Sequence, residues 1–228
     1  MAPTTVNSTI DTAPGDVPEA GEAGFAAALK DATQDVHDAA ERSPFIGRLL
    51  NGELPIDEYG RYLAQLHDVY EVLERAADAQ RDDSVAGPFA EPALTRLPAL
   101  QADLVAIGGA DWRSRYAPTP ATDAYATHIT ATCFDWSGGF VAHHYVRYLG
   151  DLSGGQIMRR ILERVFQIDD HAGTSFFVFD HLDNGVQFKK HYRALLDAAP
   201  WDDAERALIA AEAVRAFELN TAVFDSLA

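Results

Sequence analysis

The chain has 228 residues, of which 47% are hydrophobic, so it is long enough for one large domain with a substantial core. Its formal net charge of −17 argues against nucleic acid and anionic membrane surfaces as partners. The single cysteine, Cys133, excludes disulfide frameworks and cysteine metal sites, which favours a cytoplasmic location. No signal-peptide pattern and no run of about 18 apolar residues is present, so we expect neither export nor a transmembrane segment.

Residues 1–24 differ in composition from the rest of the chain. They are rich in Thr, Pro, Gly and Ala, they contain no aromatic residue, and all their charged side chains are acidic. Such a segment cannot bury enough apolar surface to offset the entropy of folding. We therefore predict a disordered acidic tail over residues 1–24 and one domain over residues 25–228.

Apolar residues recur at helical intervals through most of the remaining chain. This pattern predicts a first helix from about 25 to 42, which Pro44 separates from a shorter second helix. A long amphipathic helix follows from about 56 to 79. The prolines at 88, 92 and 98 break the next region into short helical pieces, and Gly108-Gly109, Pro118 and Pro120 mark loops.

The second half of the chain is also predicted to be helical. One helix from about 122 to 134 leads to a long helix from 140 to 166, and helices from about 183 to 198 and 202 to 226 finish the chain. Residues 173–180 resemble a strand, but we interpret them as a packed loop. Because no strand alternation appears elsewhere, the predicted fold class is all-α, with many helices in a single domain.

Three glycines lie inside the predicted 140–166 helix, in the stretch Tyr-Leu-Gly-Asp-Leu-Ser-Gly-Gly-Gln. Each costs up to about 1 kcal/mol relative to alanine in a helix. Gly150 and Gly154 share one face and Gly155 lies beside them, so this face is a strip of bare backbone. Close helix packing explains such a strip, and so does a flat ligand against a kinked helix. Arg147 and Asp151 are four residues apart and can pair beside it.

His37 and a basic pair are the other candidates for binding. His37 has Glu41 one turn after it, and an imidazole that ligates a metal usually donates its other N–H to a carboxylate or carbonyl. A lone helical histidine is more often a surface or core residue, so the pattern leaves both readings open. Lys189 and Arg193 repel each other at this spacing, which suits an anion between them, although a solvated helix face is equally compatible.

The other histidines show no metal-binding pattern in the sequence. His143 and His144 are adjacent and point to different helix faces, so they do not form a two-histidine clamp. Neither His-Glu-x-x-His nor paired Glu-x-x-His is present, which argues against zinc peptidases and ferritin-like proteins. We interpret the remaining histidines, including His128, as structural or surface residues.

Four stretches together resemble the heme oxygenases of the biliverdin-producing type shared by bacteria and animals. The stretches are Leu-Lys-Asp-Ala-Thr-Gln-Asp-Val-His at 29–37, Tyr-Val-Arg-Tyr-Leu-Gly-Asp-Leu-Ser-Gly-Gly-Gln at 145–156, Phe-Lys-Lys-His-Tyr-Arg at 188–193 and Ala-Phe-Glu-Leu-Asn at 216–220. The resemblance runs from about Phe25 to the C-terminus, and the second stretch is long and highly specific. It implies an all-α fold with heme between a proximal helix and a kinked distal helix.

The resemblance also implies a role for each matched residue. His37 would be the proximal ligand of the iron of heme b, with Glu41 as its hydrogen-bonding partner. Asp151 would order a distal water network that includes Arg147 and Tyr70. The distal helix would cross the other heme face at Gly150, Gly154 and Gly155. The heme propionates would be held by Lys30, Tyr145, Lys189 and Arg193, and the pocket would be lined by Phe217.

The implied activity is the cleavage of heme, as both cofactor and substrate, to biliverdin, CO and Fe²⁺. It requires O₂ and electrons from an external donor, for which ferredoxin and a flavoprotein reductase are both open, and we expect the α isomer of biliverdin. Since no apolar anchor follows Phe224-Asp-Ser-Leu-Ala, we expect a soluble protein.

Two other readings of the residues stay open. A heme carrier or sensor would bind through His37 without degrading heme, but it would not need a carboxylate such as Asp151 beside Gly150. An all-α relative that degrades thiamin or makes a cofactor would leave Cys133 as a nucleophile, and it would not explain Lys189 with Arg193.

Overall fold

A computed structural model describes residues 24–228, and within that range the fold contains helices and no strand. The prediction of an all-α fold is confirmed. The predicted tail, except for Gly24, lies outside the described residues. The helices are α1 (Phe25–Glu41), α2 (Pro44–Leu50), α3 (Ile56–Gln80), α4 (Leu97–Gly108), α5 (Trp112–Arg115), α6 (Pro120–Cys133), α7 (Ser137–His144), α8 (Gly154–Phe166), α9 (Gly185–Ala198) and α10 (Asp203–Asp225).

Helix boundaries follow local signals that the sequence carries. The side chain of Asn184 accepts hydrogen bonds from the backbone N–H groups of Val186 and Gln187 at the start of α9. Proline occupies the first turn of α2, α4 and α6, where a missing N–H costs nothing. For this reason α4 is a helix of 12 residues that begins beside Pro98, longer than the short pieces predicted for this region.

The core forms around α3, which packs against α4, α6 and α7. Helix α1 packs against α9 and α10, and α10 also packs against α6 and α7. Large aromatic side chains fill this core, and Tyr59, Tyr70, Phe45 and Phe140 are fully buried. In residues 24–228 every helix is too short or too polar to cross a bilayer.

The long helix predicted over 140–166 is wrong as a single element. After α7 the backbone winds more widely as a π-helical segment, Tyr145–Leu149, and returns to α-geometry at Gly150 and Asp151. Leu152 and Ser153 then form a turn, with Ser153 at φ −121° and ψ −88°, before α8 starts at Gly154. We call this interrupted element, residues 137–166, the broken helix. Single π turns inside helices are frequent at functional sites.

The interpretation of residues 173–180 as a packed loop is confirmed. The segment contains a single 3₁₀ turn, Ser175–Phe177, and its two phenylalanine rings at 176 and 177 are buried.

Candidate functional site

A cavity of about 390 Å³ opens between α1, α2, α10 and the broken helix. It contains eight of the residues to which the resemblance assigns roles, namely His37, Glu41, Arg147, Gly150, Asp151, Gly154, Gly155 and Phe217. A larger cavity of about 500 Å³ lies beside Arg96, His171 and His181 and contains none of them. We therefore place the candidate site in the smaller cavity, where apolar walls surround a few polar groups.

Gly150, Gly154 and Gly155 of the broken helix have two different surroundings. A Cβ added at Gly150 or at Gly154 would meet no atom within 4 Å outside the local backbone, so both residues open onto free space in the cavity. A Cβ at Gly155 would lie 3.1 Å from Cδ1 of Phe177. Close packing therefore explains Gly155, whereas Gly150 and Gly154 leave space open in the cavity.

His37 faces this cavity from α1 with a ring that is 44% exposed. Its Nε2 lies 3.6 Å from Oε1 of Glu41, and its Nδ1 lies 3.5 Å from Oδ1 of Asp38. The ring of Phe217 approaches it edge-on, with 5.8 Å between the ring centres. Of the described residues that line the cavity, only His37 carries an imidazole. Sequence reasoning missed Asp38, although its position next to His37 was visible.

Asp151 lies at the wall of the cavity inside a buried polar network. The hydroxyl of Tyr70 donates to Oδ2 of Asp151, and Nη2 of Arg147 lies 3.7 Å from Oδ1. Arg147 also donates from Nη1 to Oδ1 of Asn220 at 2.5 Å, and its guanidinium lies 5.3 Å from the centre of the Tyr70 ring. Tyr70 itself is fully buried behind the wall. Asn220 was missed as a site residue although it ends the quoted stretch 216–220.

Burial controls the protonation of this network. It raises the pKa of the Asp151 carboxyl, while the Arg147 charge and the hydrogen bond from Tyr70 oppose the rise. Burial and the neighbouring Asp151 charge hold the pKa of Tyr70 well above its usual range. Tyr70 therefore stays protonated and donates its hydrogen bond across the neutral pH range.

The predicted propionate-binding residues lie outside the cavity wall. Nζ of Lys189 donates to the carbonyl of Leu152 at 3.1 Å and to Oγ of Ser153 at 3.0 Å, so it holds the turn of the broken helix. Burial and the Arg193 charge lower the pKa of Lys189, and burial raises that of half-buried Tyr145. Lys30 on α1 and Arg193 on α9 have exposed side chains, and these two helices pack against each other.

A buried carboxylate fixes the loop that presses Phe177 against Gly155. Asp103 of α4 accepts backbone N–H groups from Gly173 at 3.2 Å, Ser175 at 2.9 Å and Phe176 at 2.7 Å. Nothing in the sequence singled out Asp103.

The same loop is tied to the broken helix by one amide. Nε2 of Gln156 donates to the carbonyl of Phe177 at 2.7 Å and to that of Asp151 at 3.2 Å. These two bonds join the loop to the backbone carbonyl of Asp151, so the loop helps to fix the position of this residue.

Cys133 does not offer a nucleophile. It is fully buried, its Sγ lies 3.7 Å from the carbonyl oxygen of Gly139, and burial raises the pKa of its thiol. Reactive cysteines are partly exposed with a lowered pKa. The reading of the chain as a cysteine-dependent relative therefore has no support here.

Over the described residues, the fold and the cavity define a helical protein with an open space between a histidine-bearing helix and a helix broken near glycines. The family model described as heme oxygenase matches residues 23–226. Heme oxygenase 1 of Gallus gallus is 35% identical over 201 residues, which cover 87% of this chain and 68% of that protein. The chain therefore belongs to the heme oxygenase family.

Solved structures agree with this assignment. Heme oxygenase-1 of the cyanobacterium Synechocystis, in complex with heme, has a TM-score of 0.85 and 31% identity, covering 90% of this chain and 92% of that one. The heme oxygenase of Leptospira interrogans has a TM-score of 0.84 and 34% identity, covering 89% of this chain and 98% of that one. The chain is accordingly an enzyme of the heme oxygenase class.

Proposed function

We propose that this chain binds heme b in the cavity beside His37 and cleaves it, with O₂ and electrons, to biliverdin, CO and Fe²⁺. The observation that carries the proposal is the open space at Gly150 and Gly154, in the same cavity as one imidazole. The Synechocystis relative, which is solved with heme, supports the same ligand.

The residues present on the proximal side fit the iron of a heme. A neutral imidazole is a common iron ligand, and one nitrogen of His37 can turn to the metal while the other keeps a carboxylate partner, Glu41 or Asp38. Phe217 packs edge-on against the ring and limits its rotation. When bound, heme supplies both the iron centre for O₂ and the macrocycle that is opened.

On the distal side, the chain supplies space and a proton. Gly150 and Gly154 would leave room beside a bound heme for a small ligand, and larger side chains at these positions would take up part of that space. Oδ1 of Asp151 lies too far from Arg147 for a direct hydrogen bond, so it can hold a water molecule at the cavity wall. Tyr70 and Arg147 fix the carboxylate, and a water held there would pass a proton into the cavity.

The basic residues beside the turn would orient the macrocycle. We assign Lys30, Tyr145, Lys189 and Arg193 to the two propionates. In this scheme Lys189 exchanges its bonds to Leu152 and Ser153 for a carboxylate. Pairing at one heme edge sets the rotation of the ring in its plane, and for this arrangement we propose the α isomer of biliverdin. Ferredoxin or a flavoprotein reductase would supply the electrons.

The test is to add hemin, a ferredoxin–reductase system and O₂ to the full chain. Absorption spectra should show the loss of heme and the appearance of biliverdin, and chromatography should identify the α isomer. Gly150→Leu is a matched control, because it fills the cavity and should prevent heme binding. If heme binds through His37 and persists under these conditions, the chain is a carrier or sensor and the proposal is wrong.

A further inference from the structure

Three helices meet at a second group of potential ligands, away from the residues that line the heme cavity. Nε2 of His128 on α6 lies 2.6 Å from Oε1 of Glu212 on α10. Nε2 of His143 on α7 lies 2.7 Å from the same oxygen. The two imidazole centres are 5.5 Å apart, and the three ligand atoms all lie within 4.8 Å of one another. The proposed heme reaction makes no use of these side chains.

The geometry decides which nitrogen of each ring would bind the cation. Nε2 of both histidines faces the same oxygen of Glu212, so each imidazole must carry its proton on Nδ1 when Nε2 binds a metal. Nδ1 of His143 is buried and has no hydrogen-bond partner among the described residues, so no existing hydrogen bond holds this ring in one tautomer.

We propose that His128, His143 and Glu212 form a binding site for a divalent transition-metal cation of the zinc type. Two histidines and one glutamate are the ligand set of zinc sites that keep a fourth position for water. The side chain of His143 is fully buried, whereas those of His128 and Glu212 are 30% and 14% exposed. The exposed side of His128 is the route for the cation and the place for the water.

The site needs only a small opening to accept the ion. Zinc bonds to nitrogen and oxygen are about 2.0–2.2 Å long, so the ligand atoms must lie about 3 Å or slightly more apart. The present distances of 2.6 and 2.7 Å must therefore grow by a few tenths of an ångström. Partly exposed His128 can make this adjustment, because only the hydroxyl of Thr132, at 3.5 Å, otherwise contacts its Nε2 among the described residues.

A cation at this site would tie together helices that also build the heme cavity. Glu212 shares α10 with Phe217 and Asn220, and His143 lies one turn before Arg147. Because the cation would bind the folded chain and not the unfolded one, it should raise the melting temperature in a concentration-dependent way. The proposal does not depend on heme turnover.

Two other groups in the described residues could compete for a cation, and both are weaker. His37 with Asp38 and Glu41, and His67 with Asp68 and Glu71, each offer one imidazole from one stretch of a single helix. The pair His171 and Glu163, at 2.6 Å, reproduces one histidine–carboxylate contact without a second histidine. It is therefore a matched control for the contact alone.

The experiment titrates the full, metal-free chain with ZnCl₂ by calorimetry and with CoCl₂ by visible absorption. We expect affinity to fall at least about tenfold in His128→Gln and in Glu212→Gln, and the tetrahedral cobalt bands to disappear. His171→Gln and His37→Ala should bind as the parent chain does. Circular dichroism without metal checks folding, and His128→Gln should pass because the ring is partly exposed.

Absence of binding in the parent chain, or binding that survives both His128→Gln and Glu212→Gln, would overturn the proposal. Loss of binding in His37→Ala would instead place the cation on α1. If the three side chains form only hydrogen bonds and bind no cation, zinc should leave the melting temperature unchanged, and this result would also overturn the proposal.

Discussion

Alanine substitution can separate the two roles of bare backbone in the broken helix. Gly150 has helical angles, φ −60° and ψ −51°, and an added Cβ would meet nothing within 4 Å. Gly150→Ala should therefore gain helix propensity, up to about 1 kcal/mol in the free energy of unfolding. For a domain of this size that gain corresponds to a rise of about 2–4 °C in melting temperature.

The same change at Gly155 should give a different result. Its Cβ would lie 3.1 Å from Cδ1 of Phe177 and 3.5 Å from Cβ of Asp151. The Phe177 ring is only 2% exposed and has little room to move, so the strain offsets the gain in propensity. Gly155→Ala should therefore be neutral or destabilised.

At Gly150, hemin binding and turnover should change in the opposite direction to thermal stability. The new methyl group projects into the cavity, so Gly150→Ala should bind hemin more weakly and turn it over more slowly while melting at a higher temperature. Thermal unfolding without heme and absorption titration with hemin measure the two effects separately. A lower melting temperature for Gly150→Ala, or normal hemin binding and turnover, would refute the reasoning.

The remaining predictions concern the iron ligand His37, the buried carboxylate Asp151, the propionate-binding residues and the loop held by Asp103. His37→Ala should keep some hemin binding but lose turnover, which added imidazole should partly restore; normal turnover without imidazole would exclude His37 as the ligand. Asp151→Ala should form little biliverdin and show peroxidase-like activity instead, because the water network is no longer ordered; biliverdin formation at the wild-type rate, checked against Asp151→Asn, would rule out its role. Replacing Lys189 and Arg193 together should mix the biliverdin isomers more than it weakens heme binding, because charge-assisted contacts contribute roughly 1.5–3 kcal/mol each. A pure α product would show that the shape of the cavity, and not these residues, determines the isomer. Burial raises the pKa of Asp103 to about 6, so the folded chain keeps a proton that the unfolded chain loses near pH 4. The stability that this carboxyl contributes therefore falls as pH rises from about 4 to 6. The difference in unfolding free energy between the parent chain and Asp103→Asn should therefore shrink over this window. Urea unfolding at several pH values measures this difference, and a constant value would contradict the prediction.

Local sequence signals were sufficient for most helices and for the class of the protein, but not for the length of α4 or for the break in the predicted 140–166 helix. Hydrophobic periodicity, first-turn prolines and capping residues such as Asn184 act over a few residues, so helix limits could be read from neighbouring positions. The long stretch 145–156 was distinctive enough to indicate the family. The roles assigned to individual site residues remain predictions, because the structure shows their positions and not their chemistry.

Tertiary contacts decided what local signals could not. The turn at Leu152 and Ser153 accepts two hydrogen bonds from Lys189, which lies 37 and 36 residues away in the chain. The sequence alone does not distinguish one glycine from another, yet Gly150 faces open space and Gly155 faces the ring of Phe177 from a distant loop.

The second histidine group shows the same limit. Nothing in the sequence connected His128 with His143, because Glu212, 84 and 69 residues away, is what joins them. Periodicity places a side chain on a helix face, but only the packing of α6, α7 and α10 determines which faces meet.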